Sequence, residues 1–394
     1  MISFVWSSKY PFLAGSGGSE TYTAGQIREL LKRHIPARII TIGHGTNDGR
    51  SDFPDIPFLA LDSKEDLSEL DDLLVYITYP LNVKTKHPAY AILHCPPPSY
   101  QHGDPLYDKT AFKGVRLITA SKFAAGMWRR NLRHNFGRMP TVYPFADSAF
   151  AAVDRPTRRG AGKPTKVLFA GRLHPDKGIY TLLCALHMET LKERNYELTV
   201  TTAGSNTEDG EIVLNMLRAN PKVKIVEARK NAKEMAKLMA QHDVVVMPSS
   251  NIFWQELFGM LSIEAQHAGC RVVASRSGGL PETNLGGLQL VKPDDPKALA
   301  SGMAQAIARG PLSLRDRQTA ARRFTVEQSV DSLLKAVAYK TYLYNTNQAD
   351  EDTAVLPRPG KAVAAVKRQL RTAQPRAALG LAPIRQTQTT RVQK

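Results

Sequence analysis

The chain has 394 residues, a length that predicts two or three domains and excludes a single small binding module. Hydrophobic residues make up 42% and charged residues 23% of the chain, which is typical of folded α/β material and excludes a fibrous or wholly disordered protein. The formal net charge of +17 points to an anionic partner.

Short β-branched runs alternate with helical patterns along the first 150 residues, as in parallel sheets whose strands are joined by crossover helices. The N-terminus has no charged region before its apolar residues, so we interpret it as a first strand and not as a signal peptide. The predicted strands are Ile2–Trp6, Ala37–Ile42, Leu73–Thr78, Ala91–His94 and Val115–Ala120, with helices at Glu20–Arg33 and Lys122–Leu132.

After a linker rich in Arg, Gly and Pro at Ala151–Thr165, the same alternation begins again. Two Rossmann-like α/β lobes facing each other across a cleft follow from this repetition. The predicted strands are Lys166–Ala170, Leu198–Ala203, Val223–Val226, Val244–Pro248 and Arg271–Ser275, and the predicted helices are Ile179–Asn195, Gly210–Ala219, Asn231–Gln241, Met260–Ala268 and Pro296–Ala308.

The predicted domains are an N-terminal lobe at 1–155 and a C-terminal lobe at 164–324. A helical pattern at 325–345 is long enough to cross back over the first lobe. The tail at 346–394 has few large apolar residues, and its part from residue 357 onward contains nine of the 17 excess positive charges, so we expect the tail to be disordered.

The three cysteines are far apart and form no C-x-x-C pair or His/Cys cluster, which favours buried packing thiols in a reducing cytoplasm. No apolar run approaches the length needed to span a bilayer. Both observations favour a cytoplasmic protein over a secreted or membrane-spanning one.

The first candidate site is the Gly-rich loop Ala14–Glu20, between the first strand and the first helix. Its glycines, Gly17 and Gly18 among them, let backbone amides approach a phosphate or a sugar. The loop lacks the Lys-Ser/Thr of a P-loop, and Glu20 stands where a dinucleotide-binding loop has its third glycine. A tight strand-to-helix turn without a ligand is the alternative.

The second candidate site is the run Gly171-Arg172-Leu-His-Pro-Asp-Lys177-Gly178, which follows a predicted strand. It places two cations near a helix start, an arrangement suited to a diphosphate because Arg makes planar bidentate contacts and Lys supplies a compact charge. Two solvated surface cations are the alternative.

The third candidate site begins at Glu256 and continues through Gly259 to Glu264, eight residues further on. If a helix starts near Met260, its first amides can receive a phosphate while the two carboxylates accept hydrogen bonds from sugar hydroxyls. The next strand is followed by a turn that contains Gly278, Gly279 and Glu282. Three such elements in order are harder to attribute to capping and surface charge than any one of them.

Taken together, these motifs resemble those of the retaining glycosyltransferases of family 4, whose fold is called GT-B. The resemblance extends over about Met1–Tyr344, and its most specific part is the run from Glu256 to Glu282, which is similar to the family's E-x7-E motif and Gly-Gly-x-x-Glu turn. It implies an N-terminal lobe on the acceptor side, a C-terminal lobe that binds a nucleotide-diphosphate sugar, and transfer of the sugar to a hydroxyl of a glycan or lipid-linked acceptor.

The same resemblance assigns roles residue by residue. Arg172 and Lys177 would hold the donor diphosphate, Glu256 would contact hydroxyls of the donor sugar, and Glu264 would accept hydrogen bonds from the ribose. His94 resembles the family histidine near the transferred sugar, although a lone His is more often structural. The remaining donor-binding positions implied are Gly17, Gly18, Gly171, Gly259, Met260, Leu261 and Ser262.

Two departures from the family pattern bear on these expectations. Leu257 stands where the family usually has Pro, which puts the local loop shape in doubt. No D-x-D metal signature occurs in the body of the chain, and Asp350-Glu351-Asp352 lies at the edge of the tail. We therefore expect neither a metal nor a further cofactor, with Arg172 and Lys177 supplying the electrostatic stabilisation.

The acceptor stays open, and so do several competing functions. The basic segment 122–134, with Phe123, Met127 and Trp128, could contact an anionic membrane on its cytoplasmic side, or could simply pack its apolar face on the sheet. A sugar-nucleotide epimerase or a phosphorylase shares the two-lobed architecture, and an inactive scaffold is a further alternative. Specific nucleic-acid binding is disfavoured because no recognition motif accompanies the positive charge.

Overall fold

The computed structural model describes residues 1–15, 17–97, 109–132, 139–155, 162–229, 231–252 and 255–343. The predicted tail, the central part of the linker and Asp350-Glu351-Asp352 lie outside these ranges. So do Arg133 and His134 of the basic segment.

The first lobe is a six-stranded parallel sheet in the order β3-β2-β1-β4-β5-β6. Its inner strands are buried on both faces, which explains their nearly continuous apolar sequences. Its strands are β1 Ile2–Trp6, β2 Ala37–Ile42, β3 Phe58–Leu61, β4 Leu73–Ile77, β5 Tyr90–Leu93 and β6 Arg116–Thr119, and its helices are α1 Gly18–Lys32 and α2 Lys122–Leu132.

The second lobe repeats this arrangement, with the order β12-β11-β10-β7-β8-β9 in a second parallel sheet. Its strands are β7 Thr165–Phe169, β8 Tyr196–Thr201, β9 Val223–Val226, β10 Val244–Met247, β11 Arg271–Ser275 and β12 Leu288–Val291. Its helices are α3 Ser148–Ala152, α4 Ile179–Leu186, α5 Glu189–Lys192, α6 Glu208–Arg218, α7 Ala232–Ala240, α8 Met260–His267, α9 Pro296–Arg309 and α10 Leu314–Ala320.

Both sheets reverse their strand order at an internal point, between β1 and β4 in the first and between β7 and β10 in the second. In open α/β sheets, ligands bind outside the carboxyl ends of the strands at such a point. The Gly-rich loop follows β1, the Gly171-Arg172 turn follows β7, and the Glu256 loop follows β10. The topology therefore brings the three candidate sites to the two switch points.

The structure differs from the sequence-based elements in several places. The short helices α3 and α10 were not predicted. Strands β3 and β12, at sheet edges and four residues each, were not predicted. The predicted helix Ile179–Asn195 is two helices, because Met188 has extended backbone angles and begins a new helix. The last predicted helix is interrupted: α11, Val326–Ala336, is followed by a turn with a positive φ at Ala338 before residues 339–343 become helical again.

The chain passes between the lobes twice. Phe145 packs in the core of the first lobe, whereas Phe150 of α3 packs in the core of the second. Residues 148–152, predicted within the first lobe, therefore pack with the second. The chain returns after Phe324, and α11 places Val330 and Leu333 in the core of the first lobe.

Helix α2 buries its apolar face in the protein. Met127 and Trp128 are fully buried, and the Trp128 indole N–H donates to the carbonyl of Cys95. The hypothesis that Met127 and Trp128 contact a membrane is therefore wrong. The two residues that follow them, Arg129 and Arg130, are exposed. In the part of the chain that the structure describes, no helix is long and apolar enough to cross a membrane.

Candidate functional site

Glu264 lies on the second turn of α8, which begins at Met260 after a left-handed Gly259. A side chain at position 259 would meet Leu280 at 2.4 Å, so both the turn and the packing require glycine there. Burial, with a smaller contribution from the charge of Asp147, raises the pKa of the Glu264 carboxyl to about 7. A carboxyl with a perturbed pKa beside a cavity is a candidate functional group, and its oxygens can exchange hydrogen bonds with a ligand's hydroxyls.

Lys177 and Glu256 form an ion pair in which Lys177 Nζ lies 2.7 Å from Glu256 Oε2. Their side chains are 24% and 19% exposed, so the pair is largely shielded but reachable. Burial acts to lower the pKa of the Lys177 ammonium, yet the neighbouring Glu256 and Asp176 outweigh burial and raise that pKa. The lysine therefore stays charged, next to a carboxylate that can contact the same ligand.

Asp176, which was not singled out from the sequence, organises the cations around it. Its buried carboxylate lies 3.2 Å from Arg172 Nη2, 2.6 Å from His174 Nδ1 and 3.9 Å from Lys177 Nζ. The Arg172 side chain is 64% exposed beyond this contact. Asp176 thus fixes one edge of the guanidinium and leaves the rest open to an anion.

Two close backbone approaches bring the loops after β7 and β10 together. Gly178 has a φ of +70°, and a Cβ there would lie 1.8 Å from the carbonyl oxygen of Pro248. The Ser250 amide donates to the Asp176 carbonyl at 3.0 Å. Because residue 178 is a glycine, the two loops can approach each other closely enough for Lys177 to reach Glu256. Gly171, on the other side, packs against the Lys177 side chain.

The Gly-rich loop of the first lobe faces the start of α8. Gly17 is the N-cap of α1, and the nearest atom to a Cβ built on Gly18 is the Met260 sulfur at 3.4 Å. The Glu20 carboxylate folds back so that a Cβ on Gly17 would lie 2.8 Å from it. The loop thus combines a tight turn with a position directly across the cleft from Met260.

His94 follows β5 and packs edge-on against Tyr22 of α1, with the ring centroids 4.9 Å apart. Burial lowers the pKa of His94 to about 3, so its imidazole is neutral at physiological pH. Its Nε2 is buried without a hydrogen-bond partner among the described residues. A neutral ring nitrogen of this kind can donate to or accept from a ligand hydroxyl.

A cavity of about 560 Å³ connects the Gly-rich loop to Glu264 and Met260. Asp147 and Arg229 are among the polar residues that line this cavity. No sequence motif indicated these two residues, because Asp147 lies on the segment that crosses between the lobes and Arg229 lies on the loop after β9. The cavity does not include Arg172, Lys177 or Glu256. A larger cavity of about 860 Å³ lies at the opposite, amino-terminal end of the second sheet, away from these groups.

One predicted donor contact needs correction. The Ser262 amide, assigned by the resemblance to a phosphate cradle, donates to the Gly259 carbonyl at 3.0 Å. The Ser262 hydroxyl is buried and accepts from Thr283 at 2.7 Å. The amides of Met260 and Leu261 remain at the first turn, where a helix leaves N–H groups without intrahelical acceptors.

Within the described ranges, no three His, Cys, Asp or Glu side chains are grouped so that they could hold a metal ion.

Comparison with known proteins places these features in a family context. Residues 164–309 match the family model Glycosyl transferases group 1. The chain is 33% identical over 152 residues to a D-inositol 3-phosphate glycosyltransferase of Corynebacterium kroppenstedtii, an alignment that covers 36% of this chain and 32% of that protein. It is 30% identical over 173 residues to a glycogen synthase of Mycobacterium tuberculosis, covering 42% of this chain and 39% of that protein.

Solved structures extend the likeness to both lobes. A glycosyltransferase from Rickettsia africae superposes with a TM-score of 0.64 at 18% identity, covering 87% of this chain and 98% of that one. At 18% identity, this similarity concerns the fold alone. The alignments to the two curated relatives span about a third to two fifths of their length. The two Rossmann-like sheets have the GT-B fold, and residues 164–309 are similar to the group 1 glycosyl transferases.

Proposed function

We propose that the protein is a retaining glycosyltransferase that moves a sugar from a nucleotide-diphosphate sugar to a hydroxyl acceptor without a metal ion. The observation that carries the proposal is the Lys177–Glu256 pair at 2.7 Å, next to the helix start that leads to Glu264. These groups offer a cation to a diphosphate and carboxylates to sugar hydroxyls. The match of residues 164–309 to group 1 glycosyl transferases supports the same activity.

In the proposed complex, Arg172, Lys177 and the first amides of α8 bind the diphosphate and stabilise its charge as the glycosidic bond breaks. Glu264 accepts hydrogen bonds from the ribose. Glu256 exchanges its contact with Lys177 for hydroxyls of the donor sugar. Two cations and a helix start can supply the stabilisation that a divalent ion gives elsewhere, which supports a metal-independent reaction.

On the first lobe, His94 would contact the transferred sugar, and its unpartnered buried Nε2 supports this role. Gly17 and Gly18 would close over the phosphates from across the cleft, where Gly18 already faces Met260. The acceptor hydroxyl then attacks the anomeric carbon on the face of the leaving group. Its proton passes to an oxygen of the departing diphosphate, and the sugar keeps its anomeric configuration.

For the acceptor we propose a hydroxyl of a glycan or a lipid-linked sugar. The relatives' names support hydroxyl-bearing acceptors, since they include a glycogen synthase and a lipopolysaccharide 1,2-N-acetylglucosaminetransferase of Salmonella typhimurium. We propose that the protein works in the cytoplasm; its three free cysteines agree with a reducing compartment. Met127 and Trp128 would take no part in any contact with an anionic membrane, because both are buried.

A thermal-shift and hydrolysis screen with UDP-, GDP-, ADP- and TDP-sugars, each with and without EDTA, tests the proposal. A ligand at 100 times its Kd stabilises the fold by about 2.7 kcal/mol, which is readily measured. We expect one base to stabilise the wild type and Glu211→Ala, an exposed control, but not Glu264→Ala. A response that EDTA abolishes would refute the metal-independent reaction, and silence toward every nucleotide would refute the transferase proposal. Formation of an epimerised sugar without an acceptor would indicate an epimerase instead.

A further inference from the structure

Glu282 belongs to the second lobe, but its carboxylate binds the first. Oε2 accepts from the Lys122 amide at 2.9 Å and Oε1 from the Phe123 amide at 2.8 Å. Both amides are at the start of α2, where N–H groups have no intrahelical acceptor and a negative charge is favourable. Glu282 thus caps a helix of the opposite lobe. The Tyr143 hydroxyl also donates to Oε2, at 2.8 Å.

The turn that contains Glu282 is packed directly on the loop that supplies Glu256. The Gly279 amide donates to the Glu256 carbonyl at 2.7 Å. A Cβ on Gly278 would lie 1.9 Å from that carbonyl, and one on Gly279 would lie 2.1 Å from the Leu257 carbonyl. The position of the Glu256 backbone is therefore tied to the position of this turn.

The first lobe also binds the Glu256 loop itself. The Ser121 hydroxyl, one residue before α2, donates to the Leu257 carbonyl at 2.5 Å. Phe258 packs against Tyr143 and Phe324, with ring centroids 5.7 and 5.4 Å apart. Tyr143 and Phe324 lie on the two segments that cross between the lobes, and their rings are 5.3 Å apart. Both segments that cross between the lobes thus contact Phe258, two residues after Glu256.

The protonation state of Tyr143 favours its hydrogen bond to Glu282. Burial and the adjacent Glu282 raise the pKa of the Tyr143 hydroxyl well above its ordinary value, so the phenol keeps its proton and remains a donor. Charge-assisted hydrogen bonds to a carboxylate are stronger than neutral ones. We call Glu282, Tyr143 and Ser121, with the first amides of α2, the interlobe clamp.

We propose that Glu282 and Tyr143 are positioning residues, which hold the Glu256 loop against the first lobe so that Glu256 and His94 face the same donor sugar. The catalytic consequence of this inference rests on the proposed function. The interlobe clamp itself concerns only how the two lobes are arranged. It predicts that loss of the Glu282 carboxylate impairs turnover more than nucleotide binding, because the charged groups proposed to bind the nucleotide, Arg172, Lys177 and Glu264, belong to the second lobe and only Gly17 and Gly18 contact it from the first.

The lobe arrangement is measured in the full chain by electron paramagnetic resonance distances between two spin labels. Cys184 is exposed, so the prediction of a buried thiol is wrong for this residue. Burial raises the thiol pKa of Cys95 and Cys270 and makes both less reactive, so labelling favours Cys184 in the second lobe. Glu65→Cys, at a site 71% exposed, supplies the label in the first lobe. We expect a single distance distribution in this background and a second population in Glu282→Gln, as the ratio of clamped to open forms falls about tenfold.

The control is Glu211→Gln, which makes the same change on the exposed surface of α6. It should leave the distances unchanged. Glu282→Gln is isosteric, but it exchanges one acceptor for a donor that faces an amide N–H. Tyr143→Phe removes one hydroxyl and should produce a smaller change in the same direction. Distances in Glu282→Gln that match those of the parent would overturn the clamp.

Binding and catalysis are measured separately. Calorimetry gives the Kd of UDP, and hydrolysis of UDP-glucose gives kcat. GDP, ADP and TDP and their sugars are tested next. We expect kcat to fall about tenfold in Glu282→Gln while the Kd of the nucleotide changes less than twofold. A parallel loss of both, or an unchanged kcat, would overturn the positioning role. If the wild type binds no nucleotide, the proposed function fails, and the distance measurement alone decides whether the clamp exists.

Discussion

Replacing Glu264 by Gln should make the protein's stability less dependent on pH. The folded carboxyl has a pKa of about 7 against an ordinary value of 4.5, so between these two values the folded state holds a proton that the unfolded state has lost. The free energy of unfolding therefore falls as pH rises through this window. At about 1.4 kcal/mol per pKa unit, the loss between pH 5 and pH 8.5 is about 2 to 3 kcal/mol.

This loss can be measured by differential scanning calorimetry of the wild type and Glu264→Gln at pH 5 and pH 8.5. For a lobe of this size, each kcal/mol moves Tm by about 2 to 4 °C, so the Tm difference between the two proteins should change by roughly 5 to 10 °C across the range. At pH 8.5 the variant should be the more stable protein. Glu211→Gln, on the exposed surface, should show no such change. Equal pH dependence in the wild type and Glu264→Gln would refute the raised pKa of the Glu264 carboxyl.

Three further predictions concern neighbouring groups. Arg172→Ala should lower the turnover number about 100-fold, or about 3 kcal/mol, because the leaving diphosphate loses a bidentate cation; unchanged steady-state kinetics in a folded variant would exclude Arg172 from the reaction. Asp176→Asn should weaken nucleotide binding in calorimetry because it frees the Arg172 guanidinium, which lies 3.2 Å away, and equal affinity would contradict this organising role. In a pH–rate profile, His94 should contribute no inflection near pH 6.5, since burial lowers its pKa to about 3; an inflection that His94→Gln removes would show a more exposed imidazole.

Most strands of both lobes could be predicted because parallel strands are buried on both faces and have continuous apolar sequences. Val244–Met247 is such a strand, and its predicted and observed starts agree. Phe58–Leu61 and Leu288–Val291 were missed for the converse reason: each is short, partly exposed and at a sheet edge. Local sequence also does not show which lobe a short helix joins, and α3 packs with the second lobe although it begins before the predicted linker.

The candidate site was predictable where a motif sits at the end of a strand. Lys177 and Glu256 are 79 residues apart, yet both follow strands at one switch point and pair at 2.7 Å. The contributions of Asp147 and Glu282 depend on contacts between separate loops or lobes, and no local spacing encodes them. Asp176 contacts Arg172, His174 and Lys177 of its own loop, but the sequence does not show that its carboxylate turns toward them. The Ser262 amide illustrates the same limit, because its hydrogen bond to Gly259 depends on how tightly the first turn of α8 is wound.

Retention of anomeric configuration from a nucleotide-diphosphate sugar is tested most directly by proton NMR of the sugar first released when the protein hydrolyses its donor. With UDP-α-glucose, or the α-linked donor that the nucleotide screen selects, the proposed front-face reaction predicts that α-sugar appears before mutarotation, at an equal rate in EDTA and about 100-fold more slowly in Arg172→Ala. Initial release of the β-sugar would contradict retention. No release of either anomer from any donor that binds would contradict glycosyl transfer itself.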